Sequence, residues 1–450
     1  MRRWKLPALL ALALLVGAGL RFANVQDMEY KEDEEINFTQ SQAIVASFPR
    51  LPATGMPSGV YIPNPGLSVW MFGAAAAASG AKTPTELERA VQVVSLLGIC
   101  LILPFAFFFA RPGRERELWL WAYALVLVNP FLVLYHRKLW PQPFLPIFAI
   151  PMYMGFYRRD RRFGAAAWGL FSALLGQVHM AGFFVAAGLA LWTLIRDRRG
   201  VRWSAWFGGS ALGALPLLPW LKLALAAKRG GSITALSEPL QFKYWAFWIT
   251  DTLGLHLGNP LGLSRGGALA QISDFNRYPL IGGEPTYLVA LAHGAIVVLA
   301  LALVLGAIVA LYRRRPQGLL WELFKQYPRQ LWGVLRHLPS RSSVISSTQL
   351  AGQGIFLVAG ILLTVTCINI RRYYLCATFP FEAILLAAFA LFAFGERRGR
   401  SWLAALWIAQ AIVSACFVNY VHVNQGAPAG DYGDAYHVVM EKRRQHESRP

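Results

Sequence analysis

The feature that most restricts the fold is a succession of apolar runs, at residues 6–22, 91–110, 118–135, 144–157, 163–195, 203–226, 287–312, 350–370, 374–394 and 402–420. A bilayer core about 30 Å thick is crossed by roughly 20 apolar residues in a helix. In lipid, backbone polar groups must be satisfied within the element, and a helix does this. Residues 163–195 are too many for one crossing, since a helix of that length would extend about 50 Å at about 1.5 Å per residue. That run therefore reads as two short spans turning at Gln177-Val178-His179, which makes eleven spans in all. Composition agrees: 56% hydrophobic residues, 15% charged and a mean hydropathy of +0.42 exclude an ordinary soluble domain. The predicted fold is an all-α polytopic membrane protein, with residues 1–421 as one integral domain and 422–450 as a tail.

Charge orients this framework. Lys and Arg total 43 against 23 Asp and Glu. The basic clusters at residues 2–5, 111–116, 158–162, 196–202, 313–315 and 397–400 all fall on one side of the membrane under the eleven-span reading, the side expected to be cytoplasmic. The N-terminus is then inside and the C-terminus outside, as in a bacterial plasma-membrane protein. No basic cluster sits on a soluble domain, so the formal charge of +20 points to anionic lipid heads and not to nucleic acid. Residues 313–349, basic and interleaved with Trp321, Phe324 and Trp332, read as an amphipathic helix on the inner surface. Residues 6–22 read as a retained span because no small-x-small cleavage site follows. Cys100, Cys367, Cys376 and Cys416 lie in or beside apolar runs and suggest no disulfide framework.

The opposite side carries a contrasting signal. Residues 29–37 read EYKEDEEIN, and with Asp27 they place six of the 23 acidic residues within nine positions. They belong to a first outer segment, 23–89; two more outer segments follow at 228–285 and 422–450. In the first, Asn64 with Pro65 signals a helix start, and the apolar run 66–79 is short enough to be interfacial or re-entrant. Asn37-Phe38-Thr39 fits the pattern of an N-glycosylation acceptor. Other polar residues sit at the outward ends of spans: His136, Arg137 and Lys138 in LYHRKLWPQPF, Gln177 and His179 at the turn, and Arg371 and Arg372 in NIRRYY. Ionisable groups at membrane depth are costly, and so mark functional sites. Arg and Lys bind phosphate, and a nearby carboxylate can serve as general base. Together they suit transfer of a group carried on a lipid phosphate. The plain readings are a solvated acidic face, snorkelling arginines and a helix-turn contact for His179.

Several stretches resemble a known family. KEDEEINFTQSQAI after a basic first span, GVYIPNPGLSVWMF, YHRKLWPQPFLP and RRYYLCATFPFEAILLAAFA are similar to motifs of the GT-C superfamily of polyprenyl-phosphate-sugar glycosyltransferases. The closest type is glycosyltransferase family 39, which includes protein O-mannosyltransferases and the lipid A aminoarabinose transferase. The resemblance implies inverting transfer of a sugar from a polyprenyl-phosphate donor to a lipid, glycan or protein hydroxyl outside the cytoplasm. It implies Asp33 or Glu34 as catalytic base and contacts to the lipid phosphate from Arg137, Lys138, Arg372 and Tyr373. Glu35, Asn64, His136, Gln142, His179 and Arg371 complete the expected substrate-binding set. Where some members carry an acid after the third span, this chain has Trp140-Pro141-Gln142, so no metal or other cofactor is expected. The rival functions are a flippase for lipid-linked glycans, which needs phosphate contacts but no base, and a non-catalytic assembly subunit.

Overall fold

The computed structural model describes residues 5–57, 63–226, 241–257, 274–313, 346–366, 368–427 and 432–448. Four helical stretches are long and apolar enough to cross a bilayer: Pro84–Phe108, Leu288–Arg313, Ser347–Val365 and Phe381–Val423. A fifth is a pair, Arg114–Val128 and Pro130–His136, bent by 59°. The bend follows from residue chemistry. Pro130 has no N–H to continue the first helix, and Asn129 caps the second by accepting a hydrogen bond from the Leu132 N–H at 3.1 Å. Leu288–Arg313 leaves Leu291 and Leu301 about two-thirds exposed, a face that suits hydrocarbon. The remaining apolar helices, among them Lys5–Phe22, Leu145–Tyr157 and Arg162–Val178, are shorter. Helix length therefore supplies four or five of the eleven expected spans.

Two expected turns are visible. Phe381–Val423 has 43 residues, but Gly395 has a positive φ of 74°. A Cβ on Gly399 would come within 2.9 Å of the Ala390 carbonyl oxygen, an approach that a straight helix cannot give nine residues apart, so the chain folds back at Gly395. The first arm starts at Phe381, not near residue 374, because Arg372–Thr378 is a 3-10 turn. The run at 163–195 divides into Arg162–Val178 and Ala181–Asp197, with His179 in extended conformation between them. Arg159, just before the first helix, binds Asp197 at the end of the second through two bonds of 2.6 and 2.9 Å. The two helices therefore run out and back.

The same contacts sort the ends of the bundle. Arg158 reaches the Phe108 carbonyl, Arg202 the Asp160 carbonyl, and Arg400 pairs with Glu117 at 2.6 Å. Four basic loops thus share one end. The helix pair starting at Arg114 carries the chain to His136 at the other end, where it meets the close of α1 (Lys5–Phe22) and the acidic segment that follows.

That segment forms α2 (Glu32–Ser47) and α3 (Leu67–Ser79), followed by α4 (Pro84–Cys100). The helices α2 and α3 touch at Gly73, where a Cβ would lie 2.6 Å from Ile44 Cγ2. Asn64 does not cap α3. The N-cap is Gly66, and Asn64 donates to the Met56 carbonyl at 3.0 Å beside an isolated bridge between Thr54 and Pro65. The tail forms an antiparallel pair, Gly426–Ala427 with Gly433–Asp434, then the helix Tyr436–Glu447. Residues 314–345 of the expected amphipathic insert, 227–240 and 258–273 around the second outer segment, and Cys367 lie outside the described residues.

Candidate active site

The acidic residues do not share one environment. Glu34 turns back on the start of α2, and its Oε2 accepts the Lys31 N–H at 3.1 Å, one half of a capping box. It is 1% exposed, and its Oε1 has no hydrogen-bond partner among the described residues. Burial pushes this carboxyl up to about 7; Glu29 adds to the rise and Lys138 opposes it. Asp33, one residue earlier, is only partly buried. Its carboxylate has no hydrogen bond or ion pair among the described residues. Burial raises its pKa, and Lys138 pulls it down. The first turn of a helix favours the ionised form of both.

The cations divide similarly. Arg137 is 4% exposed, and its guanidinium donates to the carbonyls of Leu20, Arg21, Ala23 and Asn24 at 2.8 to 3.1 Å. These include orphan acceptors at the end of α1, so Arg137 is a clasp on that helix, not the phosphate contact expected from sequence. Lys138, also 4% exposed, is ion-paired with buried Glu29, which holds Lys31 at 2.7 Å on its other oxygen. Three rings surround the Lys138 ammonium: Trp140 at 4.6 Å, Tyr432 at 5.2 Å and Tyr135 at 5.9 Å. Arg372 is paired with buried Asp251 and stacks over Phe247 at 4.5 Å. Burial pushes the Asp251 carboxyl up to about 6 against the pull of Arg372. Arg371, by contrast, is exposed, and its guanidinium has no hydrogen bond or ion pair among the described residues.

Tyr373 links these groups. Its ring meets Tyr374 at 5.1 Å, Trp140 at 5.5 Å, His179 at 5.8 Å and Tyr135 at 6.2 Å. Burial holds its phenol above the ordinary value, with Tyr374 adding to the rise, Arg371 pulling it down and Asp33 pushing it up. Both charges are therefore within electrostatic reach of one hydroxyl. Tyr373 is thus the centre of an aromatic cluster drawn from three chain segments, 135–140, 179 and 373–374, and the charges of Asp33 and Arg371, which have no hydrogen bond or ion pair among the described residues, both act on it.

Other expected residues lie deeper or elsewhere. His136 is buried, with Nδ1 2.9 Å from Ser95 Oγ and its carbonyl bonded by Gln92. Gln142 is buried in a 3-10 turn with its Oε1 unpartnered among the described residues. Glu35 faces outward and forms two bonds to Arg443, of 2.8 and 2.7 Å. Asn37, the residue of the glycosylation pattern, is 1% exposed and donates to the Leu139 carbonyl at 2.7 Å. It is thus a tie between α2 and the Lys138 segment. Among the described residues no three His, Cys, Asp or Glu side chains converge to hold a metal ion. Sequence reasoning missed Glu29 as the partner of Lys138, and missed Tyr432 and Arg443 entirely; the local signal for Tyr432 was GDYGDAY in the tail, which does not include Arg443.

Fold and site define an integral membrane protein of helices whose one end gathers carboxylates, cations and aromatic rings. No protein-family model and no curated protein matches the sequence. Solved structures that align with this chain include the apo form of the Archaeoglobus fulgidus oligosaccharyltransferase, at 15% identity and a TM-score of 0.48 over 96% of this chain and 57% of that one. Another is AglB from the same organism in complex with an inhibitory peptide and a dolichol-phosphate, at 16% identity and 0.48 over 96% and 56%. A third is apo ArnT from Cupriavidus metallidurans, at 14% identity and 0.42 over 92% and 76%. This chain thus spans a little over half the length of the oligosaccharyltransferase.

Proposed function

We propose that the protein is an inverting glycosyltransferase that moves a sugar from a polyprenyl-phosphate donor to a hydroxyl of a lipid, glycan or protein outside the cytoplasm. The observation that supports this is the aromatic cluster of Tyr373 with Trp140, Tyr135 and His179, on which Asp33 and Arg371, with no hydrogen bond or ion pair among the described residues, both act electrostatically. In this reading the acceptor oxygen attacks the anomeric carbon while the bond from that carbon to the phosphate oxygen breaks. Asp33 takes the hydroxyl proton as general base. The lipid phosphate leaves with the bonding electrons, and Arg371 stabilises its developing charge. Tyr373, Tyr374 and Trp140 offer apolar faces to the sugar ring, and His179 fixes the Tyr373 and Tyr374 rings from below. No cofactor is invoked. Of the expected pairs, the unpartnered member serves in each case: Asp33 and not Glu34, Arg371 and not Arg372.

The test uses the purified protein in lipid nanodiscs with a radiolabelled polyprenyl-phosphate hexose and a panel of lipid, glycan and peptide acceptors. Transfer by the wild type, abolished in Asp33→Asn while donor binding persists, is the expected result. Full transfer by Asp33→Asn removes the assignment of the base. In sealed proteoliposomes, movement of intact donor across the bilayer without cleavage, equal in wild type and Asp33→Asn, replaces the transferase with a flippase.

A further inference from the structure

The C-terminal segment, expected from sequence only to be an outer tail, is stitched to the acidic segment at every level of structure. Its backbone pairs with residues 28–30: the Tyr436 N–H donates to the Met28 carbonyl at 2.9 Å, the Tyr30 N–H to the Asp434 carbonyl at 3.3 Å, and Glu29 and Ala435 form an antiparallel bridge. Gly433 takes the left-handed backbone, φ +85°, that this turn requires. Buried Asp27 is held by His422 at 2.7 Å and faces His437 at 3.7 Å. Arg443 grips Glu35 with both nitrogens and lies 5.9 Å from the Tyr30 ring, which packs edge-on against Tyr436 at 5.0 Å.

The tail residue that reaches furthest toward the site is Tyr432, through Lys138, whose charge acts on both Asp33 and Glu34. Tyr432 is fully buried, forms one of the three aromatic walls around the Lys138 ammonium, and packs on Phe417 at 5.6 Å. Its hydroxyl has no partner among the described residues, so the ring does the packing. Glu29, the counter-charge of Lys138, has its backbone fixed by the same tail. Both the acid and one wall of the Lys138 box therefore depend on residues about 300 or more positions away in the chain.

We infer that residues 432–447 are a positioning element of the donor site: through Tyr432 and the Glu29 pairing they set where Lys138 lies, and through Arg443 they hold the first turn of α2 that carries Asp33. The inference rests on reading this end of the molecule as a lipid-phosphate site. Tyr432 and Arg443 are positioning residues, since neither lies beside the reacting bond in that reading.

The test uses the full chain in nanodiscs with farnesyl monophosphate as the binding probe. Replacing Tyr432 by Ala removes one cation–π wall and weakens binding about tenfold, while Tyr432→Phe restores it. Arg443→Glu weakens binding about threefold, the scale of an exposed ion pair, and the exchange Glu35→Arg with Arg443→Glu recovers it. Wild-type affinity in both Tyr432→Ala and Arg443→Glu overturns the inference. If Tyr432→Ala does not fold, the charge exchange decides alone. A wild type that binds no farnesyl monophosphate sinks the donor-site reading instead. In that case amide hydrogen exchange over residues 28–36 judges the tail: faster exchange in Arg443→Glu, reversed by the charge exchange, supports it, and unchanged exchange overturns it.

Discussion

Arg137 is where the sequence expectation and the structure diverge most, and its substitution separates them. In Arg137→Ala four carbonyls around the end of α1 lose a charged donor at 2.8 to 3.1 Å. Each hydrogen bond to a charged group contributes about 1.5–3 kcal/mol, but three of the four share Nη1 and some carbonyls can reach water. A loss of about 3–5 kcal/mol is the resulting scale, comparable to breaking a buried ion pair from one side. At about 2 °C per kcal/mol for a large chain, the unfolding midpoint falls by about 6–10 °C. Arg137→Lys recovers little, because an ammonium is a point donor and cannot span the positions reached by a planar fork. The assay is thermal unfolding in detergent, followed by intrinsic Trp fluorescence, beside binding of farnesyl monophosphate measured well below the midpoint. The expected pattern is a large loss of stability with affinity kept. An unchanged midpoint with lost affinity in both variants would refute the clasp and return Arg137 to the phosphate site.

Two further outcomes follow from the site. Glu34 carries a folded pKa of about 7 against an ordinary 4.5, so between those values the folded protein binds the proton that the unfolded chain has released. Stability therefore falls as pH rises through that window, by about 3 kcal/mol in total. Glu34→Gln keeps the cap to the Lys31 N–H and removes this share of the fall, leaving that of other buried carboxyls such as Asp251; denaturant midpoints at pH 5 and 8 measure the difference, and an identical pH slope in wild type and variant contradicts the buried, uncompensated carboxyl. The neighbouring arginines give opposite phenotypes. Arg371→Ala lowers probe affinity without changing the unfolding midpoint, whereas Arg372→Ala leaves Asp251 buried and unpaired and costs about 3–5 kcal/mol. Equal effects of the two on stability would contradict the pairing.

The acidic cluster and the basic LYHRKLWPQPF stretch were legible as neighbours because chain reversal at each apolar run sorts loops onto two ends of a bundle. The break at His179 was legible too, since a helix covering 163–195 is far longer than a bilayer is thick. The start of α3 was misplaced by two residues because Asn64 found a backbone acceptor in Met56, a contact made by the loop's fold and not by its sequence. The number of spans was read from hydropathy, run length and loop charge, none of which registers that several of those helices are short.

What the sequence determined by itself was the solvent and the polarity of the two ends, because burial of apolar surface in lipid and the sign of loop charge are sums over many residues. Which charged side chains remain free was decided only by tertiary structure. Arg137 and Arg371 are both arginines at turns on one end of the bundle, and Asp33 and Glu34 are adjacent carboxylates. They differ in whether a carbonyl, an N–H or an opposite charge from a distant segment has reached them first. A hydrogen bond or ion pair acts over a few ångströms, and a partner such as Arg443 or Tyr432 is brought within that distance by the fold, hundreds of residues away along the chain.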